Sequence, residues 1–223
     1  MNASPVIAID GPSASGKGAV ASRVADALDF HYLESGALYR LVALECLNKQ
    51  MVEKDAIVEL AKALPVSFHN ERIILSGQDV TDAIRSEACG VKASEVAQIP
   101  EVRRALLVRQ RAFRMAPGLV ADGRDMATVV FPDAGLKVFL TATPEIRAQR
   151  RYKQLIDKGI DANLRALSRD LQERDARDAS RPVAPLVPAP DSQVLDSTAL
   201  SIDQVVERIV GWWRERNGGA ASR

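Results

Sequence analysis

The run Gly11-Pro12-Ser13-Ala14-Ser15-Gly16-Lys17-Gly18 has the residue types and spacing needed to hold a polyphosphate. Glycines let the backbone curl tightly, so that successive amides point into one cavity. A helix starting at the lysine adds its positive dipole end to the same place. Lys17 then reaches the β- and γ-phosphates of a nucleotide. The usual pattern carries Ser or Thr directly after the lysine; here Gly18 stands there, followed by Ala19. The hydroxyl that would meet a phosphate or help hold magnesium is therefore missing after the lysine, leaving water or Ser15 to replace it.

A second group, Glu34-Ser35-Gly36-Ala37-Leu38-Tyr39-Arg40, offers Arg40 for a bidentate contact to a smaller phosphate, for which a planar guanidinium suits better than an ammonium. Ser35 faces the same site or caps a helix, two compatible roles. Tyr39 reads as core. The third group is Asp122 with Gly123-Arg124-Asp125, where an apolar run ends in acids. Asp122 suits a water-mediated magnesium contact or a base-reading carboxylate. Asp125 and Arg124 pair an acceptor for an exocyclic amine with a cation for phosphate, a loop salt bridge being the plainer role for Asp125.

The fourth group is a basic segment. From Arg147 to Arg181 there are ten Lys or Arg against six Asp or Glu, leaving 20 against 23 elsewhere. Residues 144–158 and 163–178 have helical patterning around Gly159, which predicts a cap over residues 147–181 closing arginines onto a transferring phosphoryl group. Arg150, Arg174 and Arg177 are the expected catalytic cations beside Lys17, and Arg151 and Arg181 bind phosphate. Arg165 and Arg169 read better as surface pairs.

Positioning these groups requires strands that end at them. Val6-Ile7-Ala8-Ile9 is a short apolar run ending at Asp10, as in a buried parallel strand. Residues 30–33, 119–121, 136–140 and 194–195 repeat that character, separated by segments of helical spacing. The alternation predicts an α/β fold, three-layered, with a central parallel sheet and ligands at the carboxyl ends of its strands. Residues 65–92 break the alternation: Pro65 to Phe68 and Arg72 to Leu75 flank an Asn70-Glu71 turn and predict a β-rich insert. Residues 100–116 read as a helix with Arg103, Arg104, Arg109, Arg111 and Arg114 as its charged face. Residues 201–217 read as a final helix capped by Ser201 and burying Val205, Ile209 and Trp212, with a frayed tail at 218–223.

Composition removes other classes. Charges nearly cancel, 30 basic against 29 acidic, so no overall field draws nucleic acid or an anionic membrane. Two cysteines, Cys46 and Cys89, fit neither a disulfide scaffold nor a metal spacing, which points to a reduced, cytoplasmic setting. No apolar run of about 18 residues appears and the N-terminus lacks a basic leader, so neither export nor a membrane span is expected. His31 and His69 are the only histidines and sit in strand-like segments, leaving no Ser/His/Asp or Cys/His set.

Assembled over nearly the whole chain, these motifs resemble the bacterial cytidylate kinases, nucleoside-monophosphate kinases of pyrimidine metabolism. The carrying runs are Ile9-Asp10-Gly11-Pro12-Ser13 through Gly18, Glu34 through Arg40, Ala121-Asp122-Gly123-Arg124-Asp125-Met126, and Arg181-Pro182-Val183-Ala184-Pro185-Leu186. The resemblance implies a monomeric, cytoplasmic, P-loop enzyme that transfers the γ-phosphoryl of ATP, bound with magnesium, to CMP or dCMP. It further implies that Ser35, Ser94, Arg103, Arg124 and Asp125 touch cytosine, that Arg40 and Arg181 hold the monophosphate, and that Asp178 meets the sugar. Residues 11–19 and Arg151 bind ATP, Asp122 belongs with the acceptor contacts, and 65–92 forms the monophosphate-binding insert. Ala19 departs from the family pattern. Another small-molecule P-loop kinase of UMP, AMP or shikimate type would share the loop without the pyrimidine-reading set; a non-enzymatic P-loop module would bind ATP without acceptor-dependent turnover.

Overall fold

A computed structural model describes residues 3–69, 72–157 and 159–218. The chain runs β1 (Val6–Asp10), α1 (Lys17–Leu28), β2 (His31–Glu34), α2 (Ser35–Asn48), α3 (Lys54–Ala63), β3 (Val66–His69), β4 (Arg72–Leu75) and β5 (Gln78–Asp79). It continues through a 3-10 turn (Ala83–Arg85) to α4 (Glu87–Val96), α5 (Pro100–Ala112), β6 (Leu119–Gly123) and a π-helical turn (Met126–Val130). It closes with β7 (Leu136–Thr141), α6 (Pro144–Ile156), α7 (Leu164–Ala179), β8 (Gln193–Asp196) and α8 (Ile202–Gly218). Contacts divide the described residues into two compact units, one of those up to Leu33 and from Phe113 onward, the other Glu34–Ala112.

The first unit holds the five-stranded sheet, ordered β2-β6-β1-β7-β8. β1 pairs parallel with β6 on one side, Asp10 opposite Gly123, and with β7 on the other, Asp10 opposite Phe139; β7 pairs parallel with β8. All five residues of β1 are buried, because a central parallel strand is covered on both faces. Val20, Ala21, Val24 and Ala25 of α1 pack with Val205, Ile209 and Val210 of α8 over Ile7, Val120 and Val138. The last helix is capped as expected, with reciprocity: Ser201 Oγ accepts from Gln204 N–H at 3.2 Å, and Gln204 Oε1 accepts from Ser201 N–H at 2.9 Å. Its buried tryptophan is Trp213 rather than Trp212: both continue the Val205–Ile209 face, but packing puts Trp213 in the core and leaves Trp212 partly buried at its margin. Phe30 meets Trp213 edge-on, centroids 5.7 Å apart. Gly118 lies close by, where an added Cβ would stand 2.5 Å from the Phe30 ring.

The second unit has its own core, in which Leu38, Leu41 and Val42 of α2 meet Ile57 of α3, Leu75 of β4, Ile84, Cys89 of α4 and Val102 and Leu106 of α5. The three-stranded antiparallel sheet β3-β4-β5 spans only 66–79. The expected β-rich segment to Lys92 is thus half helical, since Ser86 caps α4 by accepting from Cys89 N–H at 3.3 Å. The turn expected at Asn70-Glu71 and the tail beyond Gly218 lie outside the described residues. The helix expected over 100–116 ends at Ala112, and Arg103 leaves its charged face to be buried.

Candidate active site

The phosphate loop joins β1 to α1 at the carboxyl end of the central strand. Gly11 is required there by close packing: a Cβ would fall 2.0 Å from the Leu140 carbonyl oxygen of the neighbouring strand. Gly16 sits at the head of α1 with φ 91°, a left-handed conformation that glycine adopts without steric cost. Ala14 also has positive φ, 57°, a strained state for an alanine of the kind that gathers at ligand sites. Lys17 folds back across the loop, Nζ donating to Pro12 O at 3.1 Å. Ser15 Oγ is buried and has no hydrogen-bond partner among the described residues. Ala19 is exposed on the first turn of α1.

The end of β6 closes on this loop. Asp122 is buried and accepts from Tyr32 Oη at 2.5 Å, and its Oδ2 would be in ordinary contact, 3.8 Å, with a Cβ at Gly18, which places the carboxylate against the start of α1. Arg124 reaches in two directions: Nη2 donates to Ser13 Oγ at 2.9 Å and Nε to Asp178 Oδ2 at 2.8 Å. Asp178, on α7, is also approached by Arg181, whose Nε donates to the Asp178 carbonyl at 3.1 Å and whose Nη2 lies 3.6 Å from Oδ1. Asp125 is buried at the head of the π-helical turn, its carbonyl accepting from Val129 and Val130 N–H.

Sequence reasoning gave no role to Asp10, Tyr32, Arg147, Asp175 or Ser197, all of which structure this region. Asp10 accepts from Met126 N–H and Ala127 N–H, each at 2.8 Å, and so pins the turn that carries Asp125. Arg147 donates to Ser13 O at 3.0 Å and pairs with Asp175, which accepts from Ser13 N–H at 3.2 Å. Only Asp10 left a signal, as an acid closing an apolar strand. Arg150 is tied to Ser15 O at 3.2 Å, Ser197 Oγ at 3.0 Å and Ser197 O at 2.6 Å, beneath the loop. Arg151 donates to Gln154 Oε1 on its own helix at 3.0 Å. Arg174 and Arg177 are half-buried on α7, while Arg165 and Arg169 are exposed as expected.

Electrostatics tie the group together. Burial, reinforced by Arg124 and Arg174 against the pull of Asp122 and Asp178, brings the Lys17 ammonium down to about 7. Burial raises the Asp10 carboxyl to about 7 although two N–H groups favour its charge. For Asp178 burial pushes upward but is outweighed by Arg124, Arg181 and Arg174, so its carboxyl lies below the ordinary value. Lys17, Asp122, Arg124, Arg174, Asp178 and Arg181 therefore share one field, rich in cations, at the mouth of a loop built for phosphate. That arrangement can orient a polyphosphate and neutralise charge developing on a transferred phosphoryl group, chemistry that rests on positioning and electrostatics and needs no covalent nucleophile. Among the described residues no cluster of three or more His, Cys, Asp or Glu is arranged for a metal ion.

Within the second unit, α2 carries Ser35 and Arg40. Ser35 is buried at the first helical position and the N-cap is Glu34, so the capping alternative for Ser35 does not apply. Arg40 Nη1 donates to Ile84 O at 2.7 Å, and its carbonyl accepts from the Cys89 thiol at 3.1 Å. Ser94 on α4 is buried. Arg103, also buried, stacks over Tyr39 at 5.5 Å from the ring centroid and donates to Ala97 O at 3.3 Å. Tyr39 is core, as read.

The cytidylate kinase family pattern matches residues 7–215. A cytidylate kinase of Polynucleobacter necessarius is 59% identical over 216 residues, covering 96% of this chain and 100% of the relative. One of Bordetella bronchiseptica is 58% identical, covering 95% and 96%, and one of Ralstonia nicotianae is 55% identical, covering 98% and 96%. Among solved structures, a gluconokinase from Sinorhizobium meliloti covers both chains fully at 17% identity with a TM-score of 0.49. Neither the shikimate-type kinases nor a bare ATP-binding module is favoured by sequence relatives that share more than half of all positions with this chain. With a phosphate loop, an acid-ended β6 and an arginine-rich α7 in one unit and a family match over almost its whole length, the chain belongs to the cytidylate kinase family.

Proposed function

We propose that this protein transfers the γ-phosphoryl group of ATP to CMP or dCMP, giving ADP and CDP or dCDP, as a cytoplasmic monomer. The single observation that carries the reading is the phosphate loop with Lys17 set beside Arg124, Asp178 and Arg181, in a chain of this family. Residues 11–19 and Arg151 bind ATP, and Lys17, Arg150, Arg174 and Arg177 act on the transferring phosphoryl group. Arg181 holds the acceptor phosphate, Asp178 the sugar, and Arg124 and Asp125 the base, with Asp122 near the acceptor. In the second unit Arg40 is a phosphate contact, and Ser35, Ser94 and Arg103 are base contacts. Residues 147–181 serve as the lid and 65–92 as part of the monophosphate-binding region. Cys46 and Cys89 are buried and unbridged, and no helix among the described residues is long and apolar enough to cross a membrane.

Magnesium enters with ATP as part of the donor substrate and spreads the charge of the phosphates. The unpartnered Ser15 hydroxyl and the Asp122 carboxylate, both buried at the loop, fit it, and Ser15 takes over from the hydroxyl absent at Ala19. A coupled assay with ATP, magnesium and a panel of CMP, dCMP, UMP, AMP and shikimate tests the reading; turnover with shikimate or AMP exceeding that with CMP overturns it.

Cytosine presents an exocyclic amine where uracil presents a carbonyl, so Asp125 as acceptor favours cytosine. An acceptor facing that carbonyl goes unpaired, which costs about 1–3 kcal/mol. Asp125→Ala is expected to lower CMP turnover and shrink the CMP-to-UMP ratio of kcat/KM by about tenfold, with KM for ATP little changed. An unchanged ratio in steady-state kinetics removes Asp125 from base reading.

Lys17 supplies a pH signature. With its ammonium brought down to about 7, Lys17 is mostly neutral at pH 8 before nucleotide binds. Phosphate oxygens stabilise the cation and return it toward its ordinary value, so ATP binding at pH 8 takes up about one proton. Uptake fades as pH falls below 7, where the lysine is charged already. Calorimetric titration in buffers of different ionisation enthalpy measures it, and zero uptake at pH 8 contradicts the arrangement.

A further inference from the structure

Ser13 is the most heavily gripped residue of the phosphate loop. Its hydroxyl accepts from Arg124, its N–H donates to Asp175 Oδ1 at 3.2 Å, and its carbonyl accepts from Arg147 Nη1 at 3.0 Å. The last two partners are themselves an ion pair, joining α6 to α7, with side chains only 7% and 20% exposed. Arg147 is anchored a third time by Nε on Ala142 O at 3.1 Å, at the end of β7. Together the pair serves Ser13 as a neighbouring strand would, taking the donor and the acceptor of one residue at once.

A buried ion pair adds little net stability over apolar residues of similar volume, because desolvation offsets most of its attraction. What it supplies is geometry: two fixed hydrogen-bonding atoms at a set spacing. We propose that Arg147 and Asp175 are positioning residues for the nucleotide donor, an ion-pair clamp that sets the curl of the phosphate loop through Ser13. This rests on the reading of residues 11–19 as the ATP loop. Neither residue needs to touch the reacting atoms. Asp175 lies between Arg174 and Arg177 on α7, and Arg150 follows Arg147 by three residues on α6. The clamp therefore ties the loop to the helices that carry the proposed catalytic arginines.

Asp175→Asn keeps an acceptor for Ser13 N–H but turns an amide toward Arg147, and Arg147→Lys keeps charge but cannot serve Ala142 and Ser13 together. Both are measured in the full chain by steady-state kinetics in ATP and in CMP, with thermal melting alongside. Each is expected to lower kcat/KM for ATP by about 10–100-fold, as small misplacements of a positioning element do, while KM for CMP stays within about twofold. The double variant should lose no more than the worse single one, since the two act as a unit. A lower melting temperature with unchanged ATP parameters, or a KM for CMP that rises as much as the KM for ATP, overturns the clamp. Should Asp175→Asn fail to fold, Arg147→Lys decides. If the unaltered protein does not phosphorylate CMP, the parent reading fails, and calorimetric ATP affinity of the same variants judges the clamp separately: about tenfold weaker binding supports it and unchanged binding overturns it.

Discussion

Lys17→Ala is expected to lower kcat by about a thousandfold while leaving the protein folded, the largest effect of any single substitution in this chain. Lys17 Nζ already lies across the loop on Pro12 O, and the cations beside it, Arg124 and Arg174, repel it. In the free protein its charge is therefore held at a cost. That charge is recovered when phosphate oxygens gain negative charge in the transition state, which makes it an interaction strengthened there and raises kcat. Because burial and like charges disfavour the free cation, its removal should leave the melting temperature level or slightly higher. A thousandfold loss is about 4 kcal/mol of barrier. Activity within tenfold of the unaltered protein, with an unchanged circular-dichroism spectrum, removes Lys17 from the chemistry.

Arg181→Met is the second, and it acts on the other substrate. Arg181 is buried beside Asp178, which also receives Arg124, so two guanidinium groups converge on one carboxylate and concentrate positive charge where an acceptor phosphate would be held. Losing the guanidinium should raise KM for CMP by about a hundredfold, as expected for a charge-assisted, multi-donor contact, and leave KM for ATP within about threefold. It also removes part of the charge that lowers the Asp178 carboxyl. The Asp178 ionised form then loses stabilisation, its protonation moves to higher pH, and acid inactivation on the CMP side should begin at higher pH than in the unaltered enzyme. Equal shifts in both substrate constants would place Arg181 in a shared transition-state clamp instead.

Legibility differed sharply between elements. The central strands β1, β6 and β7 were readable because each is a short apolar run ending at a turn or a polar residue, as a strand covered on both faces requires; the edge strands β2 and β8 bury only one residue each and showed more faintly. The phosphate loop was readable because glycine at Gly11 and Gly16 answers to backbone geometry, a demand that shows in sequence directly. The 65–92 insert was half misread. Its sheet stops at Asp79, and the helix after it rests on a Ser86 cap and on apolar contacts to α2, which have no local period to announce them. Trp212 and Trp213 are adjacent, so only the packing of α8 could choose between them.

By itself the sequence determined the α/β alternation, the place of the phosphate loop and the concentration of arginine between residues 147 and 181, since these follow from local composition and spacing. Only the tertiary structure decided what those arginines do. Arg147 closes on Ser13 with Asp175, Arg150 on Ser15 and Ser197, and Arg124 on Ser13 and Asp178. These partners lie 28 to 135 residues away in sequence. A guanidinium's role is set by which carbonyls and carboxylates it must satisfy once buried, and a linear chain does not show which of them will be near.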